Sequence, residues 1–369
     1  MKLRIVSGDS VKDKNDRDWI WDRTHNFIGF LDTEKYFFHI VDKYEESLFL
    51  GFDLYLLSKA IFITSQNKIE VLKYDIEKNV FTIYKTDLQQ KATQYYSARL
   101  SQTKIIMIAY ELKYPALIFD MLSGQFEEVL WMDDIRYTDK VIGRLEDSND
   151  EILIPVEAYN EIIVINKKNL KYSKMQLHSV KEIGVVYKNG LSGMWVASSD
   201  GNMLIRYNQG KEYKFRIDGN DKNTFSKLIK CENKIIGIPR YGENIYLYDE
   251  KEEVVKMIKL PSNVTVQEGT SSLFWNCIEK EEKLILLPWR YPQIVEINLK
   301  TYKAKNFEVN VCPKELCRHI KIGTVLENDD IEVSCLIEFI KLECSMNDNG
   351  YSNNDSNQIG SVIKQICDL

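Results

Sequence analysis

Apolar residues in this chain come in short runs separated by turn residues, and the runs recur in threes. Lys234 to Leu260 shows the pattern: KIIGI (234–238), a turn over Pro239–Glu243, NIYLY (244–248), a turn over Asp249–Glu253, then VVKMIK (254–259). Runs this short, rich in β-branched and aromatic residues and bounded by turn formers, predict strands and not helices. The same order of residue types returns in EILIPVEAYNEIIVINKKNLKYSKMQL from Glu151 and in KLILLPWRYPQIVEINLKTYKAKNFEV from Lys283.

Each triplet closes its third strand on an aspartate or asparagine. These anchors are Asp32, Asp75, Asp120, Asn166, Asn208, Asp249 and Asn298, at intervals of 41–49 residues. A further strand-like segment lies 24 residues before six of them: GFDLY from Gly51, YSARL from Tyr96, IGRLE from Ile142, GVVYK from Gly184, FSKLI from Phe225 and FWNCI from Phe274. A period in the forties with four strands per unit predicts an all-β chain built as a β-propeller. Six four-stranded blades are then complete. Asp32 marks a seventh, with a third strand over 26–31 and a fourth over 36–41.

The missing strands of that seventh blade must come from a terminus, because an open ring leaves free edges. The candidates are Lys2–Val6, Asp18–Trp21 and Arg318–Leu326. A mixed blade with one strand from each terminus is expected; a six-bladed ring with the N-terminal hairpin packed outside is the alternative. The propeller accounts for residues 1–326. Residues 327–369 read as a short C-terminal helical extension: Ile331–Cys344 has apolar residues at helical spacing, and 347–357 is a polar linker.

Composition fits this picture. The chain has 369 residues, long for a single core but not for a repeat array. A net charge of −6 argues against nucleic-acid binding. No apolar run is long enough to span a membrane, and the N-terminal residues carry no secretory h-region, so a cytoplasmic location is expected. The seven cysteines are an odd number and all follow residue 230, as suits reduced thiols.

No catalytic signature is present: the sequence has no HExxH, GxGxxG, Walker A or GxSxG motif. Cys312, Cys317 and His319 have a ligand-like spacing, but a structural zinc site normally shows two such pairs. No metal, cofactor or catalytic residue is assigned. The informative positions are the loops between second and third strands and those joining blades. They gather Tyr110, Glu111, Tyr114, Glu157, Tyr159, Arg240, Tyr241, Trp289, Arg290 and Tyr291, with Arg136, Tyr137 and Asp139 in an inter-blade loop. Aromatic residues with arginine are the composition of binding hot spots, and arginine matches a carboxylate or phosphate in a bidentate fork. A protein or peptide partner is expected, or a small anionic ligand. The opposing structural reading is that these side chains pair with their neighbours and serve only ring packing.

The repeat resembles the propeller superfold shared by WD40, Kelch and quinoprotein-like domains, over about residues 20–310. Its recurrent aliphatic-Pro, Arg/aromatic, turn, strand, Asp/Asn order looks similar to Kelch-like bacterial propellers. The GH…WD signature of WD40 repeats and the Gly-Gly pair of Kelch repeats are absent. The resemblance implies that the loops named above share one face around a central channel. The expected function is a binding module or scaffold working through that face. The alternative is an enzyme, a lyase or hydrolase on a sugar- or peptide-like substrate, with its site at the channel mouth. A broad aromatic face favours the first; a deep mouth lined by carboxylate, arginine and tyrosine favours the second.

Overall fold

The computed structural model describes residues 2–46, 49–88, 92–129, 139–141, 144–157, 159–188, 193–217, 224–261, 272–312, 315–316 and 319. The helical extension and its linker, residues 327–369, lie outside these.

The second strands of the triplets explain the architecture. AIFITS, KIIMIA, EILIP, KIIGIP and KLILLP are apolar at nearly every position, although successive side chains of a strand point to opposite faces of the sheet. Both faces must therefore be covered. The buried clusters show how: Ile61 and Ile63 pack backward with Trp19 and Trp21, while Phe62 between them packs forward with Ile105 and Met107. Ile285 and Leu287 pack with Phe27 and Phe38, while Leu284 and Leu286 face Ile236 and Ile238. Each sheet is sandwiched between its two neighbours.

Seven blades result, spanning residues 10–43, 51–85, 95–129, 146–176, 183–216, 225–259 and 274–307, each a four-stranded antiparallel sheet in chain order. Their first strands are Ser10–Lys12, Gly51–Leu57, Tyr95–Arg99, Glu146–Asp147, Ile183–Lys188, Phe225–Cys231 and Phe274–Lys280. Consecutive first strands adjoin all the way round, and Phe274–Lys280 meets Ser10–Lys12 to close the ring.

The closure differs from the mixed blade expected from the sequence. Blade 1 takes all four of its strands from the N-terminal region, with Ser10–Lys12 innermost. The two ends of the propeller meet on its outer edge instead. Val309–Val311 runs parallel to Phe37–Lys43, and Lys2–Leu3 pairs antiparallel outside it. The short SVK run carries too little apolar character to read as a strand. Arg318–Leu326, the C-terminal candidate, lies outside the described residues except for His319. The strand expected from Ile142 is observed only over Glu146–Asp147.

The anchors owe their recurrence to one turn. In six of seven blades the anchor's Oδ1 accepts the amides two and three residues on: Asp75 from Glu77 and Lys78 at 3.1 and 3.0 Å, Asn298 from Lys300 and Thr301 at 3.0 and 2.8 Å. The residue four places after each of these anchors is left-handed: Tyr36, Asn79, Gly124, Leu170, Glu253 and Tyr302, with φ of 49–72°. Short polar side chains that bond their own backbone suit such turns. Asn208 departs, because Gln209-Gly210 closes that hairpin in two residues, both at positive φ. Asp200-Gly201 belongs to a longer loop, between Met194–Ser198 and Met203–Asn208.

Candidate functional site

Strand direction divides the molecule into two faces. The turns after first and third strands share one, and the loops between second and third strands share the other with the inter-blade connections. The second is the loop face, and on it the predicted residues separate into two groups.

On blades 3 and 4 the side chains are spent on each other. Tyr110 Oη donates to Glu157 Oε2 at 3.0 Å, with Lys140 Nζ 5.3 Å from its ring. Glu111 accepts from the Thr93 hydroxyl at 3.0 Å, and its backbone bridges to Lys140. Tyr114 and Tyr159 are partly buried against the inter-blade cores, and Asp139 is fully buried. The side chains of this group thus have partners within the ring. Arg136 and Tyr137 lie outside the described residues.

On blades 6, 7 and 1 the arrangement is different. Backbone bonds tie Arg240, Leu273, Trp289 and Arg290 into one patch: Leu273 N donates to Arg240 O, and Leu273 O accepts from Trp289 and Arg290 amides at 2.9–3.1 Å. The Arg240 guanidinium lies 5.3 Å from the Tyr241 ring, and Arg23 stacks 4.3 Å over Trp289. Among the described residues no carboxylate pairs with Arg23, Arg240 or Arg290, and Arg240 Nε is buried without a partner. Burial pulls the Arg23 guanidinium down to about 10, with Asp22 opposing the shift. Arg23 is therefore under-solvated and gains from an incoming anion.

Tyr291 is corrected. It is 1% exposed, packed on Phe274, with its hydroxyl on the Pro261 carbonyl. It follows Trp289 and Arg290 in sequence, but its ring turns into the core. Arg23 is a residue the sequence reading missed. Its signal was position, since it occupies the blade 1 loop equivalent to the WRYPQ loop of blade 7.

Beneath this face the channel is plugged. Phe52, Tyr96 and Trp275 are each less than 9% exposed and pack edge-on, with Phe52–Trp275 and Phe52–Trp289 centroids 5.4 and 5.6 Å apart. Burial pushes the Tyr96 hydroxyl up to about 12, against the opposing charge of Arg240. Under the plug, Arg144 fastens the first strands together. It donates to the carbonyls of Gly8 and Trp275 at 3.2 and 3.4 Å and pairs with Asp53 at 2.5 Å. Asp53 in turn accepts from Ser97 Oγ at 2.6 Å. A Cβ on Gly8 would stand 2.7 Å from the Phe52 carbonyl, so glycine is what lets the N-terminal segment reach Arg144.

The fold and face together define a seven-bladed β-propeller whose loop face carries a strip of arginines and aromatic rings on blades 6, 7 and 1 over a closed channel top. No family model and no curated protein matches the chain, so the likeness to Kelch and WD40 repeats stays at the level of the superfold. Solved structures do match. Virginiamycin B lyase from Staphylococcus aureus superposes with a TM-score of 0.60 at 10% identity, covering 79% of this chain and 96% of that one. The extracellular domain of BT4673 from B. thetaiotaomicron gives 0.57 at 14%, over 80% and 39%. Dihydro-heme d1 dehydrogenase NirN gives 0.56 at 10%, over 81% and 64%. At these identities the likeness shows the fold alone, and a lyase, an extracellular domain and a dehydrogenase share it.

Proposed function

We propose that this propeller is a binding module that takes an acidic protein or peptide segment on its loop face. The observation that carries the reading is the strip Tyr241–Arg240–Trp289–Arg290–Arg23, in which three arginines lack carboxylate partners among the described residues of a chain with net charge −6. Cations stacked beside aromatic rings and left unpaired suit an acidic, partly apolar partner. The plugged channel top agrees with an extended partner lying across the face. The unpaired thiols of Cys231, Cys277 and Cys312 are consistent with a cytoplasmic setting.

Fluorescence anisotropy with two labelled peptides, one alternating glutamate with aromatic residues and one with lysine in place of glutamate, tests the reading. The acidic peptide should bind, and Arg240→Ala should weaken it about tenfold, or about 1.4 kcal/mol. Arg290→Ala should add to the loss, and both variants should melt cooperatively like the wild type. Equal binding of the two peptides, or an Arg240→Ala, Arg290→Ala double variant that binds normally, would remove the basis for the proposal.

A further inference from the structure

The channel below the plug holds a cavity of about 280 Å³. Its lining runs to the C-terminal ends of the first strands, including Asp147, Tyr187 and Glu279, so it opens toward the face opposite the loops. Most of its polar groups are satisfied by the Arg144–Asp53–Ser97 network and by Asp9, which accepts from Asn276 and from the Leu54 amide. Two wall residues keep bonding capacity in reserve. Lys227 Nζ donates to Asn276 Oδ1 at 2.6 Å and forms no ion pair among the described residues. Glu146 accepts the Lys188 amide on Oε1 at 3.1 Å, and its second oxygen has no such bond. The two side chains feel each other electrostatically but do not meet.

We propose that the channel is a site for a small hydroxylated carboxylate, with its carboxylate on Lys227 and a hydroxyl on Glu146. The volume lies just below the ~300–1,000 Å³ used by larger ligands, so the occupant is small. An unpaired ammonium asks for an anion, and a carboxyl oxygen across the cavity asks for a hydroxyl donor. Of the neighbouring carboxylates, Asp9 and Asp53 are offset by Arg144 and Asp147 by Lys167, while Glu279 opposes any anion, so the site tolerates at most a single negative charge. This site does not depend on the loop-face reading.

Sodium D-glucuronate, a hydroxy acid of suitable size, is the probe, with D-glucose as its neutral counterpart. Calorimetric titration should show glucuronate binding, glucose binding more weakly, and at least a tenfold loss in Lys227→Met. Arg240→Ala should bind glucuronate like the wild type, which separates this site from the loop face. If Lys227→Met does not melt cooperatively, Glu146→Ala decides, with a comparable loss expected. The proposal is overturned by an absence of glucuronate binding to the wild type, by equal binding of glucose, or by unchanged affinity in the deciding variant.

Discussion

Glu146 is where a single side chain can be followed from environment to measurable consequence. Its carboxyl sits in the cavity wall, and burial pushes it up from 4.5 to about 7, while the Lys188 amide and Lys227 pull the other way. The folded chain thus holds a proton that an unfolded glutamate has already released. The stability associated with that proton is full below pH 4.5 and is lost as pH rises toward 7. Glu146→Gln, which keeps the shape without the charge, should match the wild type in urea melts near pH 4.5. At pH 8 it should exceed it by about 1–2 kcal/mol, the shift being discounted because the side chain is only partly buried. Parallel stability curves for the two proteins would show that the carboxyl titrates normally. The cavity residues were legible in principle. Asp53, Arg144 and Lys227, together with Asn276 that bonds Lys227, all stand third in their segments, GFD, IGR, FSK and FWN, where a polar residue interrupts an apolar run. Read one segment at a time they looked like ordinary alternation; only superposed do they converge on the channel. Tyr291 misled for the opposite reason, since nothing in WRYPQ says which of three large side chains turns inward.

At the scale of the element, the turns were more legible than the strands they join. The Asp or Asn anchors mark six identical turns because the side chain bonds backbone within its own few residues, and local chemistry is what sequence records best. First strands were harder. Ser10–Lys12 has no apolar run, and its place is set by the ring around it, not by its own residues. The turn also exposes a removable strain. Glu253 is solvent-exposed and sits at φ 53°, where blade 3 has Gly124 at φ 72°. Left-handed backbone costs an L-residue about 1–2 kcal/mol, of which glycine's greater unfolded freedom returns part. Glu253→Gly should therefore stabilise the chain by about 0.5–1 kcal/mol, read as a shift in the denaturant midpoint at constant m-value. A lower midpoint would mean that the glutamate side chain contributes more than its backbone loses.

For the whole molecule, the decisive fact is that seven similar cores must join without a gap. Seven buried clusters sit at the seven blade junctions, and the one between blades 7 and 1 also draws in Leu3, Val309 and Val311 from the outer latch. The period made the blades legible, but the closure was not, because strands of two and three residues carry no periodicity. Asn310 tests the latch without touching the core. Its side chain is exposed, and its amide donates to the Tyr36 carbonyl at 2.9 Å. Asn310→Pro removes that donor and should cost about 2–3 kcal/mol. Hydrogen exchange should then speed up at Phe37–Phe38 and in blade 7 while blades 4 and 5 keep their protection. Uniform acceleration around the ring would show that closure is not the local event described.

The latch also sets how the propeller bears load. Lys2 lies opposite Asn310 and Leu3 opposite Val309, so the chain leaves the pair at residues 2 and 311 side by side. A force applied between those points peels one backbone bond after another; it does not shear them together. Mechanically the ring is a zip fastener whose tab is on the outside. Tension carried through residues flanking the propeller would open the two-residue latch at the rim first and then reach the channel directly through Gly8 and Asp9.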